Sequence, residues 1–132
     1  MKRQVGLWID HRKTVIVMVS GETEEITQIA SNMEKHVRYS GAAEQVKGED
    51  QLDRRFSDHL TKYYDDVISH VRDAESILIL GPGEAKGEFV KRLGSEGLGG
   101  RIVGIETADK MTDHQIAAIV RQHFTARSAH GV

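Results

Sequence analysis

Residues 76–93 read SILILGPGEAKGEFVKRL. Ile77, Leu78, Ile79 and Leu80 are consecutive aliphatic residues with no polar face. They suit a strand covered on both sides, inside a parallel or mixed sheet with helices above and below it. Gly81-Pro82-Gly83 ends the strand, because Pro82 has no N–H for a ladder and the glycines reach backbone angles closed to other residues. A helix follows. Glu84 and Glu88 fall near its start and Lys91 and Arg92 near its end, the order that the helix dipole favours, while Phe89, Val90 and Leu93 supply a face for the sheet.

Upstream, Val5 to Asp10 and Thr14 to Val19 are apolar runs separated only by His11, Arg12 and Lys13, which predicts an antiparallel hairpin. Glu24 to Ser31 reads as an edge strand that completes a three-stranded meander. Asn32 to Asp50 is polar and without sustained period, and a connection this long inside a compact domain is usually functional or disordered. From Leu52 through Phe56, Leu60, Tyr63, Tyr64, Val67 and Ile68 to Val71, three- and four-residue steps mark a long amphipathic helix.

Downstream, Ser95 to Gly100 is a glycine-rich loop and Arg101 to Thr107 a fifth strand. Thr112 with Gln115 forms a capping-box pattern ahead of a last helix marked by Ile116, Ile119, Val120 and Phe124. Thr125 to Val132 has no pattern and is expected to fray. The expected order is β-β-β, long loop, α, β, α, β, α, an α/β domain over residues 1–125 with a tail at 126–132. Its strand-helix-strand units imply right-handed parallel crossovers.

Composition narrows the function classes. A chain of 132 residues suits one domain, and a net charge of −2 with 29% charged residues gives no global positive field to advertise nucleic acid. The absence of cysteine excludes disulfides, thiol catalysis and thiolate metal sites. No run approaches the roughly 20 apolar residues of a spanning helix, so no membrane partner and a cytoplasmic location are expected.

The start VGLWIDHRKTVIV, the long loop entering a long helix, the turn ILILGPGEAKGEFVKRL and the stretch RIVGIETADKMTDHQI together resemble the middle domain of the archaeo-eukaryotic class 1 release factor and Pelota family, including its stand-alone bacterial relatives. The likeness covers roughly residues 5–124. It implies a ribonuclease H-like fold, a mixed five-stranded sheet flanked by three helices, and a setting in the translation machinery. Release factors of this family present a Gly-Gly-Gln tripeptide on the long loop. Here the helix is preceded by Gly48-Glu49-Asp50-Gln51, and Gly41-Ala42-Ala43-Glu44-Gln45 also lacks the tripeptide. Pelota-type members lack it as well.

Three groups of residues are candidates for chemistry. His36, Arg38, Tyr39 and Lys47, with Arg54 and Arg55 at the helix start, form the best basic and aromatic cluster: Tyr39 could stack on a base and the cations could pair with phosphates. Gly81, Gly83 and Lys86 could cradle an anion, though the spacing is not that of a Walker loop. Asp10 ends the first strand where a nuclease of this fold class keeps a metal carboxylate, and Glu84, Glu106 and Asp109 follow the ends of later strands. An Asp before a turn is also common for its hydrogen bonds alone. The seven histidines show no metal-ligand spacing, and neither a metal nor a cofactor is expected. The leading expectation is a non-enzymatic protein that binds ribosomes, tRNA or rRNA. The alternatives are a hydrolase, acting on peptidyl-tRNA through Gln51 or on RNA through Asp10, and a protein-interaction or homo-oligomerisation module.

Overall fold

A computed structural model describes residues 3–21, 23–31 and 49–130, and for 49–57 and 126–130 the backbone alone. Among the described residues the expected order of strands and helices is present, and the connection expected at 32–48 lies outside them. The strands are β1 (Gln4–Ile9), β2 (Lys13–Ser20), β3 (Thr23–Ala30), β4 (Ser76–Gly81) and β5 (Ile102–Thr107). The helices are α1 (Glu49–Val71), α2 (Ala85–Ser95) and α3 (Asp113–His130), with a short 3₁₀ turn at Gly99–Arg101. The five strands form one sheet in the order β3-β2-β1-β4-β5. β1 pairs antiparallel with β2, and β2 with β3, while β1 with β4 and β4 with β5 are parallel. A hairpin sheet is thus extended by parallel crossovers, with β3 at one edge and β5 at the other.

The aliphatic run in β4 divides between two cores, as its lack of a polar face requires. Ile77 and Ile79 join Val5, Leu7, Ile9, Ile16, Phe89 and the apolar stripe of α1 on one side of the sheet. Leu78 and Leu80 join Trp8, Val15, Val17 and the Ile116, Val120 and Phe124 stripe of α3 on the other. Period-two alternation therefore serves both layers at once. Gly6 sets the distance of the second layer: a Cβ there would lie 2.2 Å from Val120 Cγ2, so only glycine lets α3 sit this close to β1.

Local signals hold at most boundaries. Thr112 N–H donates to Gln115 Oε1 at 2.9 Å and Gln115 N–H to Thr112 Oγ1 at 3.2 Å, the reciprocal pair of a capping box. Two boundaries differ from the reading of the sequence. Residues Gly99 to Arg101 turn as a 3₁₀ segment, so β5 starts at Ile102. The last helix continues past Phe124 to His130, because Ala126, Arg127 and Ala129 favour helix and no Gly or Pro intervenes before Gly131. Among the described residues no helix is long and apolar enough to cross a membrane.

Candidate functional site at the carboxyl edge of the parallel strands

In open sheets with parallel strands, ligands gather beyond the carboxyl ends of those strands. Here that edge carries Asp10 and His11 after β1, Pro82 to Glu84 after β4, and Ala108 and Asp109 after β5. α1 runs back against β1 and β4, so its first turns, which carry Gln51, Arg54 and Arg55, lie toward the same edge. Its side chains confirm the direction: Tyr63 OH donates to the Asp10 carbonyl at 3.0 Å, and His59 Nε2 meets the Ser31 carbonyl.

Asp10 is built into the hairpin. Its Oδ1 accepts the backbone N–H groups of Arg12 and Lys13, each at 2.8 Å, so one carboxylate oxygen shapes the turn. Gly81 is required by close approach, since a Cβ there would lie 2.2 Å from the Ile9 carbonyl oxygen. Its own carbonyl accepts the N–H of Ala108 at 3.0 Å, tying the β5–α3 loop to the end of β4. Gly83 turns the chain at φ 62°, a left-handed conformation that favours glycine. Lys86 Nζ donates to the Gly83 carbonyl at 2.7 Å, so the ammonium that was a candidate anion ligand closes the turn that carries it.

The centre of the edge is Glu88, which the sequence reading treated only as a charge near a helix start. Its Oε1 accepts Tyr64 OH at 2.7 Å and lies 3.0 Å from His11 Nε2. One carboxylate oxygen thus joins α2, α1 and the β1–β2 turn. Tyr64 is buried, and desolvation, followed by the hydrogen bond and negative charge of Glu88, raises its hydroxyl well above the usual phenol range. Tyr63 beside it is also raised, chiefly by burial, while its 2.6 Å hydrogen bond with the buried Thr14 hydroxyl acts the other way. The β1–β2 turn is held from behind as well: Ser31 Oγ donates to the His11 carbonyl at 2.6 Å and Ser31 N–H to the Arg12 carbonyl at 2.8 Å.

Beside this network lies an open cleft of about 270 Å³, bounded by Asp10, His11, Arg12, Pro82 and Glu84. A second cleft of about 390 Å³ runs between α1 and α2, past Tyr64, Glu88 and Lys91. Among the described residues, no group of three or more His, Cys, Asp or Glu side chains is arranged to hold a metal ion. Asp10, Glu84 and Asp109 share the edge without forming such a group. The geometry presents a polar surface with a carboxylate-backed imidazole at its centre.

Of the residues singled out in the sequence, Asp10, Gly81, Gly83 and Lys86 are brought together here. Gln51, Arg54 and Arg55 are placed by backbone alone, and His36, Arg38, Tyr39 and Lys47 lie outside the described residues. His11, Glu88 and Tyr64 were not joined by the sequence reading. Spacing hides them, since they are 77 and 24 residues apart.

No family model and no curated protein matches this chain. Solved structures do. The Pelota protein of Thermoplasma acidophilum matches with a TM-score of 0.56 at 16% identity, over 84% of this chain and 29% of its own. Pelota of Archaeoglobus fulgidus matches with a TM-score of 0.57 at 12% identity, over 91% and 31%. The fold of this chain is shared with part of Pelota. An archaeal translation termination factor gives 0.52 at 13% identity, over 98% of this chain and 41% of its own. The chain therefore spans less than half the length of each of these proteins. At such identities the likeness is one of fold, and it agrees with the architecture that the order of elements implied.

Proposed function

We propose that this chain is a translation-associated protein that contacts ribosomal or transfer RNA through residues 36–55 and the strand edge into which they lead. The observation that carries the reading is the shared fold: 84–98% of this chain superposes on parts of two Pelota proteins and of an archaeal translation termination factor. In the contact itself, Tyr39 stacks on an exposed base, and His36, Arg38, Lys47, Arg54 and Arg55 meet phosphates. The role is one of binding. The sequence has no Gly-Gly-Gln tripeptide, and the imidazole of His11 lies on a carboxylate oxygen that already holds Tyr64.

The test is capture of partners from lysate by the tagged chain, with and without ribonuclease. Ribosomal RNA and ribosomal proteins are expected in the untreated sample and lost on treatment. Capture of a protein that ignores ribonuclease, with no ribosomal RNA, would move the reading to a protein-interaction module.

A further inference from the structure

The tip of the β1–β2 hairpin, Asp10 to Lys13, is fixed from within. All four of its carbonyls accept a hydrogen bond: Asp10 from Tyr63 OH at 3.0 Å, His11 from Ser31 Oγ at 2.6 Å, Arg12 from Ser31 N–H at 2.8 Å and Lys13 from Asp10 N–H at 3.0 Å. Asp10 Oδ1 takes the N–H groups of Arg12 and Lys13. The shape of the turn is therefore supplied by backbone, Asp10, Ser31 and Tyr63, and none of these bonds uses the side chains of Arg12 or Lys13. Yet the chain places His11, Arg12 and Lys13 in succession where hairpin turns favour Gly, Asn or Asp.

We infer that this turn is a preformed contact for RNA phosphates, made by the side chains of Arg12 and Lys13. Arg12 is exposed at the tip. Lys13 Nζ lies 5.9 Å from the centre of the Trp8 ring, which belongs to the layer covered by α3. Glu84, at the start of α2, stands across the cleft from Arg12 toward the opposite layer, so an anion is repelled from that wall and met from the side of Lys13. The other carboxylates next to the turn are engaged, Asp10 by the turn amides and Glu88 by Tyr64 and His11. The guanidinium can take two phosphate oxygens at once, and the ammonium adds a point charge. A turn already held in place has little ordering left to lose when it binds. The contact presupposes the proposed association with RNA and narrows it: it positions the chain on the backbone of the nucleic acid and reads no base.

Purified ribosomes are the probe, and binding of the full chain is read by co-sedimentation over a salt series. Arg12→Gln with Lys13→Gln is expected to raise the dissociation constant at least about fivefold at low salt, and to make the slope of log affinity against log salt shallower by about one to two. Arg3→Gln, at the other end of β1, also removes a positive charge and is expected to change neither. If the unmodified chain binds in a salt-dependent way and the double variant binds equally well, the turn contact is overturned and the association with RNA stands. An equal loss in Arg3→Gln would overturn it too, as an effect of net charge. An unmodified chain that binds no ribosome at any salt would overturn both. The chain has no cysteine, so an iron chelate carried on Arg12→Cys gives a second reading that does not require the glutamine variant to fold. Cleavage of ribosomal RNA by the bound chain is expected from position 12 and not from Arg3→Cys; cleavage from position 12 that is absent, or no stronger than from position 3, would overturn the contact.

Discussion

Tyr63 and Tyr64 occupy adjacent positions in the apolar stripe of α1, yet their hydroxyls reach different partners, Thr14 and the Asp10 carbonyl for one and Glu88 for the other. Both are raised above the ordinary tyrosine value, mainly by burial. The sign follows directly. A hydroxyl whose folded value exceeds its unfolded value contributes stability that is whole below about pH 10 and is lost as pH rises beyond it. In an alkaline titration at 295 nm, two of the chain's three tyrosines should therefore ionise together with the loss of circular dichroism. Ionisation of both near pH 10 with the fold intact would contradict these contacts. At this scale the sequence was only partly legible. The three- and four-residue steps marked both rings as core, but periodicity carries no information about where a hydroxyl at the end of a ring finds its partner. Asp10 was more legible, because an Asx turn is a local interaction and its partners are only two and three residues away.

Among elements, α3 packs on the sheet to form the second layer, and Gly6 of β1 governs how closely α3 and β1 meet. Gly6→Ala should destabilise the protein by about 1–3 kcal/mol, since its methyl group enters the space of Val120. Val120→Ala should also destabilise, by leaving a cavity, but the double variant should lose at least about 0.5 kcal/mol less than the sum of the two. Denaturant unfolding of the four proteins measures this coupling, and strict additivity would show that α3 does not rest on β1 at this point. A second test joins α1 to α2. Arg92 donates to both oxygens of Asp65, at 2.7 and 3.0 Å, and these hydrogen bonds hold the Asp65 carboxyl below the usual carboxylate range. Its contribution is present above about pH 4 and is lost as pH falls through the depressed folded value. Asp65→Asn should flatten the dependence of the unfolding midpoint on pH in that acid range, by a small amount because both side chains are more than a third exposed and water screens the pair. An unchanged slope would show that the pair is not kept in solution. The elements were the most legible part of the sequence. Ile77 to Leu80 has no polar position, so only a doubly covered strand accommodates it. The end of α3 was misjudged because Thr125 to His130 adds no apolar stripe, although its residues extend a helix already begun.

For the whole molecule, the sheet order and the shared fold bring remote parts of the chain to one edge: the β1–β2 turn, the Gly-Pro-Gly turn, the start of α1 and the β5–α3 loop. The order of strands and helices, which is a property of the full sequence, made this architecture legible before any contact was known. The network about Glu88 was not, since it depends on the angle at which three elements meet. Function lies a step further on, because a fold can host unrelated activities and only binding distinguishes them. The most direct measurement is co-sedimentation of the purified chain with ribosomes through a sucrose cushion over a series of salt concentrations. The chain is expected to pellet with ribosomes at low salt and to be released as salt rises, and Arg54→Glu with Arg55→Glu to weaken this binding in a chain that remains folded. A folded chain that stays in the supernatant at the lowest salt would contradict it.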